Sequence, residues 1–276
     1  MSEVPFIKMH GIGNDYVYID CFRSSTASQM AQTNLAAMAR QVSDRHRGVG
    51  SDGMVLILPD RETDACMRMF NADGTEAQMC GNAIRCVAKY LYESGLCHKE
   101  HMQIRTLAGI RNLDLHIVKG YVEAVEVEMG RPMVKEDNLL LDGKTLPFVA
   151  VNIGNPHAVF FRETMPETAE ILSLGERIGT HTFFPEGTNV EFVVVRNETE
   201  LDMRVWERGT GETMACGTGA CAAAVAAMRT GKTQRAVTVH LLGGDLKIRR
   251  KADDSNVYMT GPATEVFRGE VIIDNS

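Results

Sequence analysis

Two short stretches, each placing a cysteine and a glycine in front of an apolar segment, are the parts of this chain best suited to chemistry. They are Ala77–Asn82 and Thr213–Thr218, which contain Cys80 and Cys216. After the first cysteine, apolar residues recur at helical spacing and a glycine ends the segment; after the second comes an alanine-rich run, Ala220–Met228. The sequence therefore predicts two buried helices, each beginning at a cysteine.

A thiol at a helix N-terminus lies near backbone N–H groups without helical partners and near the positive end of the helix dipole. Both the N–H groups and the helix dipole favour the thiolate over the thiol, whose ordinary pKa is about 8.5. The same N–H groups suit a carboxylate, and a glycine after the cysteine lets a substrate approach the backbone. Two such sites suggest one anionic substrate held between two sulfur atoms.

Two cysteines that face one carbon atom from opposite sides could invert it. One thiolate would remove the proton from Cα, and the other sulfur, still a thiol, would return a proton to the opposite face. Helix N-termini aimed at the substrate carboxylate would stabilise the charge that develops there. This chemistry needs no pyridoxal-type cofactor and no metal.

Other roles for these cysteines remain open at this point. A zinc site could use Cys80, Cys86, Cys216 and Cys221, although spacings of six and five residues direct each pair to different faces of a helix. A redox dithiol is a second alternative, without a Cys-x-x-Cys motif to support it. A binding protein with inert, packed thiols is the third. Three further cysteines carry no motif and are interpreted as packing residues: Cys21, Cys66 and Cys97.

The two stretches also match over a wider window, which favours an internal duplication. An aromatic residue lies ten positions before each cysteine, and a glutamate lies four positions before it. The sequence Gly13-Asn14 in the first half corresponds to Gly154-Asn155 in the second, and the turn at 50–52 corresponds to that at 187–189. The sequence therefore predicts two similar halves.

Composition indicates an ordinary globular protein and argues against several partners. The 276 residues carry a net charge of −7 and include 44% apolar residues. No basic stripe for nucleic acid and no apolar run of the ~18 residues that a membrane span needs are evident. The first residues lack the pattern of a signal peptide, and seven cysteines without a secretion signal fit reduced thiols. We expect a soluble cytoplasmic protein with a small-molecule substrate.

The expected fold class is α/β (α+β), with two pseudo-symmetric halves. Each half is a sheet wrapped around one central buried helix, and the active site lies in the cleft between the halves. The N-terminal half comprises 1–120 plus 262–276 and carries Cys80; the C-terminal half comprises 121–261 and carries Cys216. Helices are expected at 30–43, after Cys80, at 167–178 and at 220–228. Strands are expected at 3–9, 15–21, 54–58, 65–70, 101–107, 112–118, 121–129, 190–196, 201–206, 236–241, 245–250, 256–260 and 264–273.

At these residues the chain closely resembles the diaminopimelate epimerases, a family of cofactor-independent two-cysteine enzymes. The motifs that carry the resemblance span the whole chain in the order of the family. They are Lys8–Tyr16, Phe70–Gly74, Cys80–Asn82, Gly154–His157, Glu207–Glu212 and Ala215–Cys221. Cys-Gly alone would also fit proline racemase-like relatives of the same fold, which are the runner-up, but the asparagine-bearing stretches and Glu207-Arg208 favour the epimerases.

The resemblance implies interconversion of LL- and meso-diaminopimelate, on the route to lysine and peptidoglycan. It implies that Cys80 and Cys216 are the base and the acid, and that backbone N–H groups of Gly81, Asn82, Gly217 and Thr218 hold the reacting carboxylate. The residues implied to hold the distal amino-acid end are Asn14, Asn71, Asn155, Asn189, Glu207 and Arg208. A guanidinium group can fork a carboxylate, while amides and a glutamate can accept from an ammonium group. His157 and Glu207 are implied to tune the thiols or to position the substrate.

Two further expectations follow from the resemblance. The family often has a glutamine where this chain has Gly53, so Gly53 is left out of the site. The family is typically homodimeric through the C-terminal strand, where Phe267 is the matching aromatic residue, with a core role as the alternative. A non-catalytic amino-acid-binding protein on the same scaffold also remains open. Among the enzymes, the polarity of the distal pocket separates the two candidates: several amides with Arg208 would suit a second charged amino-acid group, whereas proline would need an apolar pocket.

Overall fold

The computed structural model describes residues 2–23, 34–253 and 256–273 of the chain. Its contacts divide the chain into two compact units. Unit 1 consists of Met1–Val127 with Gly261–Ser276, and unit 2 consists of Glu128–Thr260. The chain therefore begins in unit 1, passes through unit 2 and returns to unit 1 for its last strand.

The elements of unit 1, with one strand that continues into unit 2, follow one another in chain order. They are β1 (Ser2–Gly11), β2 (Asn14–Asp20), α1 (Leu35–Ser43), β3 (Gly53–Leu58), β4 (Ala65–Asn71), β5 (Glu76–Ala77), α2 (Gly81–Glu93), β6 (His101–Thr106), β7 (Gly109–Val118) and β8 (Tyr121–Gly130).

The remaining elements belong to unit 2, apart from the end of its last strand and the final strand of the chain. They are β9 (Met133–Leu141), β10 (Lys144–Asn152), β11 (Pro156–Phe161), α3 (Thr168–Gly179), β12 (Asn189–Asn197), β13 (Glu200–Glu207), β14 (Gly211–Glu212), α4 (Gly217–Arg229), β15 (Ala236–Leu241), β16 (Gly244–Arg250), β17 (Val257–Gly261) and β18 (Thr264–Ile273).

The two units share one topology. In unit 1, β1 pairs antiparallel with β2, β2 pairs parallel with β3 across α1, β3 pairs antiparallel with β4, and β4 pairs parallel with β6 across α2. In unit 2, β10, β11, β12, β13 and β15 repeat these pairings in the same order and the same sense, with α3 and α4 as the crossover helices. Each unit continues into two further antiparallel pairs. The predicted duplication is thus present in the strand pairings, and with it the mixed fold of two similar halves.

The C-terminal strand completes the repeat in unit 1. β18 pairs antiparallel with β1, as β9 pairs antiparallel with β10 in unit 2. In unit 2 the extra strand precedes its partner along the chain, whereas in unit 1 it comes from the other end of the chain. The return of the last strand to the first half therefore takes the place that β9 holds in unit 2.

Both helices that follow a cysteine are buried. In α4 every residue from Ala220 to Ala227 is fully buried, as expected for a run that is apolar on all sides. In α2 the buried face includes Ile84, Val87 and Leu91. Each helix packs against the strands of its own unit, so the start of each helix is held by its sheet. None of the helices within the described parts of the chain is both long and apolar enough to span a membrane.

Three strands between residues 133 and 161 were not expected from the sequence. β9 is mostly exposed on both faces and lacks a clear alternation of apolar and polar residues. β10 contains Pro147, a residue type that usually marks an edge strand or a break, although β10 pairs with strands on both sides. Of the helix expected at 30–43, the structure describes Leu35–Ser43 as helical, and residues 30–33 lie outside the described residues.

Gly53 occupies a position with no room for a side chain. A Cβ atom there would lie 2.1 Å from the Phe70 carbonyl oxygen and 2.8 Å from Cε1 of Tyr16. The carbonyl belongs to the backbone of the paired strand β4, so it cannot turn away as the end of a flexible side chain could. This accounts for a glycine where the resemblance leads one to expect glutamine.

We expect Gly53→Ala to lower the free energy of unfolding by about 3 kcal/mol, because the added methyl group overpacks a backbone contact. Gly120→Ala is the control, since a Cβ there meets open space and only the left-handed backbone (φ +84°) is strained. That control should lose about 1 kcal/mol. Urea unfolding of both variants measures the difference, and equal losses would contradict the steric explanation.

Candidate active site

Cys80 is the N-cap residue of α2 and has an extended backbone (φ −137°, ψ 123°). Its side chain makes no capping hydrogen bond to its own helix. Instead, the thiol donates to Asn14 Oδ1 at 3.4 Å. The first backbone N–H groups of a helix have no partner inside that helix, so those beside Cys80 form a seat for an anion.

Asn14 is held in one orientation by a cluster of charged side chains. Its amide nitrogen donates to Asp52 Oδ2 at 2.9 Å, which leaves its Oδ1 atom for the thiol. Arg45 bridges the carboxylates of Asp52 and Asp15 at 2.9 Å each, and Lys8 also pairs with Asp15. Burial alone would raise the pKa of Asp15, but Lys8 and Arg45 hold it below its ordinary value.

A buried arginine fixes the start of α2. Arg85 is fully buried and donates to Asn82 Oδ1 at 2.8 Å and to the carbonyl oxygens of Gly81 and Pro262 at 3.0 and 3.1 Å. The Asn82 amide nitrogen then lies 3.4 Å from Asn14 Oδ1. The structure thus brings together four residues that the sequence proposed for the site.

Asn71, which the sequence also assigned to substrate binding, hydrogen-bonds within its own turn. Its amide nitrogen donates to Thr75 Oγ1 at 2.9 Å, and its backbone pairs with Gly53 in the neighbouring strand. The structure therefore ties the position of Asn71 to the turn between β4 and β5.

Cys216 is the N-cap residue of α4, with an extended backbone like that of Cys80 (φ −122°, ψ 106°). Its sulfur does cap its own helix, because it accepts from the Gly219 backbone N–H at 3.4 Å. The Thr218 hydroxyl lies 3.6 Å from the same sulfur. The two cysteines therefore share a position in the fold but differ in their hydrogen bonds.

The surroundings of Cys216 favour the protonated thiol. Burial raises its pKa well above the ordinary value, and the carboxylates of Glu207 and Glu191 add to this, while the Thr218 hydroxyl and the Gly219 N–H oppose it. The sequence argument, based on the helix N-terminus alone, expected a lowered pKa at both cysteines. At Cys216, desolvation and two nearby carboxylates outweigh the helix terminus.

Glu207 is the carboxylate of β13 that acts on this thiol. Its own pKa is raised, chiefly by burial, while hydrogen bonds from Thr213 and Cys216 act in the opposite direction. The structure therefore brings Glu207 into contact with Cys216, next to the start of α4.

A chain of hydrogen bonds leads from Thr218 into the core of unit 2. The Asn155 amide nitrogen donates to Thr218 Oγ1 at 3.3 Å, and His157 Nε2 lies 3.0 Å from Asn155 Oδ1. His157 Nδ1 lies 2.6 Å from Glu191 Oε1, and both of these side chains are fully buried. His157 thus reaches the cysteine through two intermediate side chains.

Asn189 and Arg208 form a separate contact in the same unit. The Asn189 amide oxygen accepts from the Arg208 backbone N–H at 3.0 Å, and its nitrogen donates to the Pro156 carbonyl oxygen at 2.9 Å. The guanidinium group of Arg208 is exposed and donates to the Glu186 carbonyl oxygen at 2.8 Å. One nitrogen of this group, Nη1, is bonded to the protein backbone, and the remaining N–H donors can bind a ligand.

Several residues that build these sites were missed by the sequence argument. Glu191 is the only charged residue in the run Val190–Val195, and a charge within such an apolar strand was a signal that could have identified it. Arg85 and Asp52 gave no such signal, because their roles depend on partners that lie close only in the folded chain. Within the described ranges, no three His, Cys, Asp or Glu side chains are grouped as ligands for a metal ion.

Comparison with known proteins gives a consistent family. The family model described as diaminopimelate epimerase matches residues 6–135 and 149–266. A diaminopimelate epimerase of Acetivibrio thermocellus is 46% identical over 280 residues, which cover 96% of this chain and 98% of that protein. A diaminopimelate epimerase of Methanococcus maripaludis is 47% identical over 284 residues, which cover 98% of this chain and all of that protein (100%).

Solved structures with low sequence identity share the fold. A probable proline racemase from Agrobacterium radiobacter superposes with a TM-score of 0.73 at 16% identity, covering 98% of this chain and 93% of that one. A phenazine biosynthesis protein of the PhzF family from Bacillus anthracis gives a TM-score of 0.71 at 17% identity, covering 99% and 100%. These similarities concern the fold alone.

Proposed function

The chain belongs to the diaminopimelate epimerase family. On that basis we propose that it interconverts LL- and meso-2,6-diaminopimelate by proton transfer at Cα. This reaction lies on the route to lysine and peptidoglycan precursors. The observation that carries this proposal is the pair of cysteines at equivalent positions of the two repeats. Each is the N-cap of a buried helix and is followed by glycine.

In the proposed reaction, one sulfur is a thiolate and the other a thiol. The thiolate takes the proton from Cα, and the electron pair of the broken C–H bond moves into the carboxylate, which becomes a dianionic enediolate. The thiol then gives its proton to the opposite face of the carbon, so that the first sulfur ends as a thiol and the second as a thiolate. The mechanism requires both thiols to reach the same carbon atom and calls on no cofactor.

The backbone N–H groups at the two helix starts would hold the reacting carboxylate. These groups belong to Gly81 and Asn82 in α2 and to Gly217 and Thr218 in α4. Such donors stabilise the dianion more than the substrate carboxylate, because the negative charge grows in the transition state.

We assign the starting roles of the two cysteines from their surroundings. The raised pKa of Cys216 supports a thiol there in the free enzyme. Cys80 is then the base for the isomer that binds to this form, and on ionising it gives up the hydrogen bond that its thiol donates to Asn14 Oδ1. After one turnover the protons have moved, and the roles are exchanged for the reverse reaction.

The distal amino-acid end of the substrate would be held by polar side chains. Arg208 has guanidinium donors suited to the distal carboxylate. The other residues proposed for this end are Asn14, Asn71, Asn155, Asn189 and Glu207. His157 would position the group around Cys216 rather than touch the substrate.

Proton exchange at Cα tests the reaction and the substrate together. LL-diaminopimelate, proline and lysine are incubated separately with the reduced protein in D₂O and examined by NMR and mass spectrometry. Deuterium in diaminopimelate alone, with the meso isomer formed, is expected. Exchange into proline would indicate a proline-type racemase instead, and no exchange into any of them would leave a binding protein.

We expect Glu207→Gln to shift the alkaline limb of the kcat/KM profile to lower pH. The reaction needs one thiolate and one thiol, so the acid limb reports the first thiol ionisation and the alkaline limb the second. Because the pKa of Cys216 is raised in part by the Glu207 carboxylate, removing that charge lowers it.

Glu212→Gln is the control for this change. Glu212 lies on the adjoining strand β14, and its carboxylate pairs with Arg204 at 2.6 Å. Its profile should keep the alkaline limb of the parent enzyme. An unchanged or raised limb in Glu207→Gln would contradict the role of this carboxylate.

We also propose a homodimer in the cytoplasm, joined through the outer face of β18. Exposed apolar side chains support this face: Val266, Phe267 and Ile272 are 55%, 46% and 58% exposed. The Phe267 ring packs edge-on against Phe6 at 5.7 Å, which holds it in place at the surface. Sedimentation equilibrium of Phe267→Asp, compared with the parent chain, would show whether this face joins two copies.

A further inference from the structure

Glu191 is a buried carboxylate to which the proposed reaction gives no task. Its side chain is fully buried, and Oε1 lies 2.6 Å from His157 Nδ1. Its second oxygen, Oε2, is buried without a hydrogen-bond partner among the described residues. A buried carboxylate with one unsatisfied oxygen is costly, so an apolar residue would be expected here unless the carboxylate had a use.

The contacts of His157 determine how many protons this pair holds. Nε2 faces Asn155 Oδ1, which can only accept, so Nε2 must carry a hydrogen. The contact between Nδ1 and Glu191 Oε1 must contain one more proton, held either by the ring or by the carboxyl group. In both arrangements Nε2 is a donor, and with the proton on the ring Glu191 is the carboxylate that faces Cys216.

That donor sets the direction of every hydrogen bond up to the cysteine. Because the Asn155 oxygen accepts from His157, the Asn155 nitrogen is the atom that donates to Thr218 Oγ1. The Thr218 hydroxyl has then accepted one bond and keeps its own hydrogen for the Cys216 sulfur, 3.6 Å away. If Nε2 lacked its hydrogen, the amide would have to turn over, and Thr218 would donate to Asn155 instead.

We propose that Glu191 is a positioning residue, which with His157 fixes these hydrogen bonds so that the Thr218 hydroxyl donates to the Cys216 sulfur. Two consequences follow for the reaction. The S–H hydrogen of Cys216 is not used on Thr218 and points to Glu207, and the thiolate formed after proton delivery has two donors, Thr218 and the Gly219 N–H. These kinetic consequences rest on the proposed function, whereas the hydrogen-bond directions do not.

The charged and titratable groups that face this thiol come from the strands packed against α4. Glu207 belongs to β13, Glu191 to β12, and His157 to β11, where it lies against Glu191. Glu191 also explains Gly219, because a Cβ atom at that position would lie 2.9 Å from Glu191 Oε1. The start of α4 is therefore fitted to the carboxylate.

Nitrogen-15 NMR of the histidine rings tests the first link directly. The signals of His157 are assigned as those missing from His157→Gln. We expect Nε2 of the parent protein to carry a directly bonded proton at pH 8. An Nε2 signal in the range of an unprotonated nitrogen would overturn the inference. The measurement needs no substrate, so its result stands whether or not the protein acts on diaminopimelate.

Variants of Glu191 test what depends on the carboxylate. Glu191→Leu removes the partner that holds the ring at Nδ1. The neutral ring keeps its hydrogen on Nε2, but the loosened Nε2–H should exchange with solvent faster, with kcat reduced about 10- to 100-fold and KM changed less than about threefold. Glu191→Gln can donate its side-chain N–H to Nδ1 and should retain both the slow exchange and most of kcat. An unchanged exchange rate in Glu191→Leu, or equal losses of kcat in the two variants, would refute the positioning role.

The last link is tested by combining variants. Thr218→Val removes the hydroxyl and should reduce kcat, while Thr218→Ser should restore it. Glu191→Leu added to Thr218→Val should cause little further loss, since both changes remove the same donor. Additive losses would show that Glu191 acts by another route. If circular dichroism shows that Glu191→Leu does not fold, Thr218→Val and Thr218→Ser test the proposal instead. Equal activity of these two variants would contradict a role for the Thr218 hydroxyl.

Discussion

Alanine in place of either Cys80 or Cys216 is expected to lower the turnover of LL-diaminopimelate at least about 10²- to 10⁴-fold, the range typical of a lost acid–base group. Each variant keeps both helix starts and one sulfur, so it can still bind the substrate carboxylate. Inversion nevertheless needs a proton removed from one face and a proton delivered to the other. Conversion to the meso isomer, followed by chiral chromatography, measures the loss.

The control for both variants is Cys97→Ala. Cys97 is half-buried in unit 1, and no motif or site contact involves it. This variant should retain the activity of the parent chain. If Cys80→Ala or Cys216→Ala kept full activity, the two-thiol mechanism would be wrong, and a base from elsewhere would have to be sought.

Replacing Arg208 by leucine should have the second largest effect, an increase of about 100-fold in KM for diaminopimelate. A charge-assisted hydrogen bond is worth about 1.5–3 kcal/mol, and the distal carboxylate is bound alike in the ground and transition states. kcat should therefore change little. The KM of Arg208→Lys should lie between those of the parent chain and Arg208→Leu, because lysine keeps the charge but cannot form the planar fork.

Arg196→Leu is the matched control for this position. Arg196 lies in the same unit, is partly exposed and pairs with Asp202 at 2.6 Å on the surface. Its KM should equal that of the parent chain, since a surface ion pair contributes little. An unchanged KM in Arg208→Leu would remove Arg208 from the distal site, and a large fall in kcat would indicate a role near the reacting carbon.

The regular elements could be read from the sequence where one face of an element is buried. The apolar run of α4 and the alternating strand at 121–129 are examples, because burial imposes the period of the element on the residue types. The strands at 133–161 were not predicted from the sequence, because β9 is largely exposed and β10 contains Pro147. For these strands, pairing with neighbours decides the structure rather than local residue preference.

The candidate site divides in the same way. The sequence pointed to both cysteines because cysteine, glycine and the following helix stand next to one another in the chain, and the resemblance to the epimerase family pointed to the asparagines. It did not point to Asp52, which orients Asn14, or to Arg85, which orients Asn82 through a hydrogen bond of 2.8 Å. The orientation of each asparagine depends on a partner that is distant in the chain, and this partner comes close only when the chain has folded.

The electrostatics of the thiols were the weakest inference from the sequence. The argument from a helix N-terminus treats only the nearest backbone dipoles, which are encoded locally. The pKa of Cys216 depends instead on burial and on carboxylates that arrive from β12 and β13. Desolvation of the buried thiol, together with these carboxylates, outweighs the partial charge of the helix terminus, so the tertiary structure decides the sign.

The sequence by itself determined that this chain is a duplicated α/β protein with a cysteine at the start of a buried helix in each half, because helical periodicity, capping and turns are encoded within about 15 residues. Only the tertiary structure decided which groups act on each cysteine. His157 and Glu191 are 34 residues apart in the chain, and Asn14 and Asp52 are 38 apart. Strand pairing brings such residues within hydrogen-bonding distance, and no local preference of the chain encodes it.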